Sequence, residues 1–166
     1  MSVKFESNKI EVQKALNDKA IGFLYDAKEV LVSQTVRNTP TKHGALKRSF
    51  EQDSYVDESN LTAYIGSSIK YSVWVELGTG EYALDGKGRK GYWIYVEGST
   101  LEKSDTPKYY TLQEAKRIMA ILRNKGLEAF YTNGQKPQRM LYRAFIVKKN
   151  KIQEQANKIY RELNGI

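Results

Sequence analysis

The chain of 166 residues carries 27 Lys and Arg against 19 Asp and Glu, a single histidine and no cysteine. That length can bury about 70% of the unfolded surface in one core, while the lack of cysteine excludes disulfides, thiolate metal centres and cysteine nucleophiles. The net charge of +8 admits a polyanionic partner, no run approaches the roughly 18 apolar residues of a membrane span, and the charged start Met1-Ser2-Val3-Lys4 is not expected to act as an export signal.

The first periodic segment runs from about residue 8 to residue 38. Val12, Leu16, Ala20, Leu24, Ala27 and Leu31 recur at steps of four or three, which predicts a long amphipathic helix with Asn8 and Glu11 as a capping pair. Such a helix would be about 45 Å long, longer than a small core can cover, so part of its stripe is available to a second subunit or to the monomer's own core. Thr39-Pro40 then stops it, because proline lacks an amide proton and disfavours helical geometry in the residue before it. Gly44 supplies a turn that requires positive φ.

Phe50–Val56 and Leu61–Gly66 read as a hairpin joined by Asp57-Glu58-Ser59-Asn60, the second strand alternating Leu61, Ala63 and Ile65 against Thr62 and Tyr64. Tyr71–Leu77 fits either a strand or one turn of helix. Gly78–Gly91 is a glycine-rich loop with the basic triplet Lys87, Arg89, Lys90, expected to be mobile in an isolated subunit, and Tyr92–Val96 is an aromatic strand. Thr111-Leu112-Gln113-Glu114 is a capping box for a helix along Leu112, Ala115, Met119 and Leu122 that ends at Gly126, flanked by short strands at Lys108–Tyr110 and Leu127–Thr132. A last helix spans about 139–163, with Leu141, Phe145, Ile152, Ala156, Ile159 and Leu163 on one side. Lys136, Arg139, Arg143, Lys148, Lys149, Lys151, Lys158 and Arg161 make the carboxy-terminal part basic, read as a solvated face or as a surface for DNA or an acidic protein neighbour. The expected fold is α+β: two long helices (about 8–38 and 139–163) packed on a small, mainly antiparallel sheet, as a single domain 1–166 with a strand-helix-strand insert at 97–133.

Three segments carry a resemblance. Thr39-Pro40-Thr41-Lys42-His43-Gly44-Ala45-Leu46-Lys47-Arg48-Ser49 resembles a T-P-x-x-T-G-x-L-x-x-S signature, with His43 in place of Thr or Ser. Tyr71-Ser72-Val73-Trp74-Val75-Glu76-Leu77-Gly78-Thr79 is similar to x-Y-A-x-Y-V-E-F-G-T, and Gln135-Lys136-Pro137-Gln138-Arg139-Met140-Leu141-Tyr142-Arg143-Ala144 to a looser Q-P-F-L-R-P-A. In this order they resemble the tailed-phage head-tail joining and tail-completion proteins, which include the gene-product-10-like proteins of lambdoid phages. The resemblance implies a virion protein of the neck or tail top, present in the host cytoplasm during assembly, that forms rings with itself and meets other neck or tail proteins. It makes Thr39, Pro40, Gly44, Leu46, Tyr71, Val75, Glu76, Gly78, Thr79, Pro137, Leu141 and Ala144 the structural motif residues. Trp74, Tyr82, Lys87, Arg89 and Lys90 are candidates for the assembly interface, with Trp93 and Tyr95 as further aromatic anchors or core. DNA is a secondary partner, and the alternative function is a basic nucleic-acid-binding module that uses the carboxy-terminal helix and the Lys87-Arg89-Lys90 loop.

No catalytic constellation emerges. His43 has no metal-ligating neighbour in sequence and reads as a solvated turn residue. Glu76 is the carboxylate set inside an apolar run, expected to be satisfied by backbone amides or an Arg. Gly86-Lys87-Gly88-Arg89-Lys90-Gly91 matches the letters G-x-G-x-x-G, but an aromatic strand follows where a dinucleotide site needs a helix. Neither an enzyme activity nor a cofactor is expected.

Overall fold

A computed structural model describes residues 9–41, 44–98 and 109–164. The fold is α+β, with long helices and short antiparallel strand pairs. Two compact units form, one from the segments before Tyr71 and after Arg139, the other from Tyr71–Arg139. The interruption in the first unit is therefore wider than the 97–133 insert read from the sequence.

The first unit is organised by α1 (Lys9–Asn38) and α5 (Met140–Asn164), which pack on each other. They run antiparallel: Lys19 Nζ meets Glu162 Oε2 at 3.0 Å towards one end, and Asn38 Nδ2 donates to the Met140 carbonyl at 3.1 Å towards the other. The α1 stripe continues past Ala27 through Leu31 into Thr35 and Thr39, both buried, whose hydroxyls donate to the carbonyls four residues earlier. Threonine serves in this stripe because that bond satisfies its hydroxyl without a distant partner. Leu16 is exposed and Ala20 half-buried, so the stripe is only partly covered at these positions. The helix ends two residues before Pro40, as expected. The proposed Asn8 cap lies outside the described residues, as does His43.

Helix α2 (Ala45–Asp53) overturns part of the expected hairpin, since Phe50 to Asp53 are helical and not extended. The physical reason is spacing. Leu46, Ser49 and Phe50 stand at steps of three and four and bury one side of a short helix, and Glu51-Gln52-Asp53 after Phe50 carry no strand alternation. Gly44 starts this helix at φ 74°, a conformation that costs a residue with a side chain about 1 kcal/mol. Gly44→Ala is expected to lose about that much in chemical denaturation, and Pro40→Ala, at an exposed position beyond the helix end, much less; equal losses would show that the corner is not fixed.

The remaining hairpin is shorter than expected, β1 (Tyr55–Asp57) with β2 (Thr62–Tyr64), paired Tyr55 to Tyr64 with their rings stacked at 4.9 Å. Asp57 builds its turn by accepting from Ser59 N and Oγ and from Asn60 N and Nδ2, and these bonds hold its pKa down at about 2. A depressed carboxyl contributes to stability above its unfolded pKa of about 4 and loses that contribution as the pH falls through the folded value. The Asp57 carboxyl, followed by NMR into acid, is expected to titrate near 2; a midpoint near 4 would mean that the turn is open in solution.

The second unit holds α3 (Ser72–Leu77), a 3-10 turn (Gly80–Tyr82), β3 (Trp93–Val96), α4 (Leu112–Asn124) and β4 (Ala129–Thr132). Strands β3 and β4 pair antiparallel, Trp93 to Thr132 through Val96 to Ala129, and Tyr110 bridges Tyr92. The strands thus form two separate two-stranded sheets instead of the single small sheet expected, with Lys108 outside the described residues. The capping box is present: Thr111 Oγ1 accepts from Glu114 N, and Glu114 Oε2 accepts from Thr111 N, which also lowers the Glu114 pKa. Helix α4 covers the sheet face that carries Ala129, fully buried like Ala115.

Candidate assembly surfaces

The central and closing signature elements meet inside the second unit, where carbonyls of α3 receive the amides of Gln138 and Arg139 and the run from Thr79 to Glu81 pairs antiparallel with the run from Asn133 to Gln135. Gln138 N donates to Val75 O at 2.8 Å, Arg139 N to Glu76 O at 3.1 Å, Thr79 N to Gln135 O at 2.9 Å and Glu81 N to Asn133 O at 2.9 Å. Thr79 Oγ1 accepts in return from Gln135 N. Gly78, at φ 77°, has no room for a side chain: a Cβ there would lie 2.9 Å from Pro137 Cδ and 2.8 Å from the Tyr82 carbonyl. This gives a physical reason for Gly78, Thr79 and Pro137 standing where the resemblance sets them. Val75 is buried, and Glu76 is half-buried and not enclosed.

Two crossings beyond these are tighter still. A Cβ on Gly80 would overlap Asn133 O, one on Gly134 would overlap Thr79 O, and one on Gly88 would overlap Gly80 O. Glu81 fastens the arrangement, Oε1 accepting from Gly91 N and Oε2 from Asn133 Nδ2. The loop Gly78–Gly91 is therefore pinned through backbone contacts, against the expectation of a mobile segment. Its amides at Thr79, Glu81, Tyr82, Ala83, Leu84, Gly86, Lys87 and Gly91 are all hydrogen-bonded. Sequence reading missed Glu81, Asn133, Gly88 and Gly134, although the pairing of Gly80 with Gly134 is a mark of close backbone approach.

In the first unit, Thr39, Leu46 and Ala144 are buried, together with Met140 beside them in the closing element, while Leu141 is half-buried and Pro40 exposed. The motif residues are thus mostly framework. Large apolar side chains next to them lie on the surface instead. On α3 these are Val73, Trp74, which is 59% exposed, and Leu77, with the motif residue Tyr71 just before the helix also exposed; on the first turns of α5 they are Tyr142, Phe145, which is 53% exposed, Ile146 and Val147. Tyr82 is partly covered by Lys136, whose Nζ lies 5.8 Å from the ring centre. Lys87 and Lys90 are exposed, whereas Arg89 is half-buried over the rings of Trp93 and Tyr109. Trp93 is half-buried and Tyr95 exposed, so neither is fully enclosed core.

Among the described residues no cluster of His, Asp and Glu could hold a metal ion. No described helix is long and apolar enough to cross a membrane. No protein-family model, curated protein or solved structure matches the chain.

Proposed function

We infer that the protein is a structural component of a tailed-phage or prophage particle, acting in the neck or at the top of the tail by ring assembly with itself and contact with other neck or tail proteins. The observation that carries this reading is the split between framework and surface in the signature segments. Residues such as Gly78, Thr79, Pro137 and Ala144 are used inside the units, while Trp74 and Phe145, a few residues away, present rings to solvent. Exposed apolar patches of this kind mark protein interfaces, and large aromatic side chains supply their anchors. A closed ring needs two complementary surfaces on each copy, and α3 and the start of α5 offer one each.

Trp74→Glu and Phe145→Glu test it. Both side chains are mostly exposed, so the variants should fold, and each should lower particle yield at least tenfold when the gene is supplied to a phage lacking it. Absence of the wild-type protein from purified particles would overturn the reading, as would normal yield from both variants. The alternative, nucleic-acid binding through basic α5, rests on exposed Arg143, Lys149, Lys151, Lys158 and Arg161. It predicts a loss of roughly a thousandfold in affinity between about 50 and 200 mM salt for six phosphate contacts, whereas assembly through apolar contacts should change little.

A further inference from the structure

In the unit Tyr71–Arg139, α4 covers one face of the β3–β4 sheet. The other face is aromatic. Cross-strand pairing sets Tyr95 beside Phe130 and Trp93 beside Thr132, and the Tyr92–Tyr110 bridge puts Tyr109 next to Trp93 on the same side. Tyr95 and Phe130 stack with centroids 5.5 Å apart at 23°. Tyr95 is 49% and Tyr109 57% exposed. Cations stand at both ends: the Arg89 guanidinium is 5.1 Å from the Trp93 ring centre and 5.2 Å from that of Tyr109, and Arg123 is 5.2 Å from that of Phe130. At the Arg89 end, Lys87, Gly88, Arg89, Lys90, Gly91 and Tyr109 line an open cleft of about 520 Å³.

We propose that this face binds single-stranded nucleic acid, with bases stacked on Tyr95 and Tyr109 and phosphates held by Lys87 and Lys90. Charge complementarity chooses the occupant. Three cations within four residues line a cleft on a chain of net charge +8. Of the nearby carboxylates, Asp85 accepts from Lys87 N and Glu81 from Gly91 N and Asn133 Nδ2, which holds both in place, while exposed Glu97 and Glu128 stand beyond Tyr95 and Phe130, so the phosphates belong at the lysine end of the face. Flat rings beside a cationic groove are how a protein grips unpaired bases without reading sequence. A duplex keeps its base faces inside and gives the rings nothing to stack on. The cation–π contacts of Arg89 stiffen the loop that carries both lysines, which reduces the entropy lost on binding. This inference goes beyond the assembly reading and does not depend on it.

The test is fluorescence anisotropy with a labelled oligo-dT of about twenty nucleotides, at salt from about 50 to 200 mM. The wild type should bind at low salt and lose affinity as salt rises. Tyr95→Ala/Tyr109→Ala should weaken binding roughly tenfold or more with the salt slope kept, and Tyr95→Trp should retain it. Lys87→Ala/Lys90→Ala should reduce the slope by about 1.4, two contacts at about 0.7 each. Thermal melting of each variant checks that folding is intact. The proposal is overturned by absence of binding at about 50 mM salt, by preference for a duplex of the same length, or by equal competition from poly-glutamate, which would make the face a site for an acidic protein. Loss of binding in Lys149→Ala/Lys151→Ala with no effect of the tyrosine pair would move the site to α5 and equally overturn it.

Discussion

Gly80→Ala is expected to destabilise the Tyr71–Arg139 unit by about 3 kcal/mol or more, combining overpacking with a left-handed backbone that alanine resists. The added methyl would overlap the Asn133 carbonyl and crowd Gly134 Cα, and both of those atoms belong to a backbone run already held by the Glu81–Asn133 and Thr79–Gln135 bonds. No side-chain rotation can relieve a clash between two backbones. Gly86→Ala is the matched control, because Gly86 also has positive φ, at 69°, but nothing lies within 4 Å of its Cβ position. It should lose only about 1 kcal/mol. Both tryptophans, Trp74 and Trp93, lie in this unit, so tryptophan fluorescence during urea unfolding reports on it directly. Equal shifts for the two variants would show that the crossing is loose in solution.

In the other unit the largest effect is expected from Phe50→Ala, at about 3 to 5 kcal/mol. Phe50 is 1% exposed and, with Met140 and Thr35, is among the largest fully buried side chains described. The cost combines the lost transfer free energy of the ring with the cavity left between the buried neighbours. Phe50→Leu, which keeps most of the volume, should cost less than half as much. Far-UV circular dichroism through a urea titration measures both. A loss below about 1 kcal/mol for the alanine variant would mean that the surroundings close over the gap and that Phe50 does not anchor α2.

How much of this was legible in the sequence depended on whether the signal was local. The stop at Thr39-Pro40, the positive φ at Gly44, the Thr111–Glu114 box and the span of α5 each follow from a few neighbouring residues, and each is present in the structure. The expected hairpin starts too early because it groups Phe50 with Tyr55 and Val56 across the polar residues Glu51-Gln52-Asp53-Ser54. Leu46 and Ser49 behind Phe50 carry a helical period instead. The crossing of Thr79-Gly80 with Asn133-Gly134 joins segments more than fifty residues apart through backbone atoms, and no side-chain pattern encodes such a contact. The basic triplet was visible as charge, but the rings of Trp93 and Tyr109 around Arg89 came only with the register of the strands. For the assembly surfaces, Trp74 and Tyr82 could be named from the sequence, whereas exposure at Phe145, Ile146 and Val147 depends on which side of α5 meets α1.

The bonds from Gln138 N to Val75 O and from Arg139 N to Glu76 O have a bearing on how the chain tolerates change in length. They tie the first and last turns of the intervening segment together, so its entry and exit lie one backbone hydrogen bond apart. Everything between them is topologically a closed loop. The entropy of closing a loop grows only with the logarithm of its length, about 0.6 kcal/mol for each doubling. Length added to an unpacked connection inside this unit therefore costs little more than that closure entropy so long as the Val75–Gln138 and Glu76–Arg139 clasps and the packing of α4 on β3 and β4 remain.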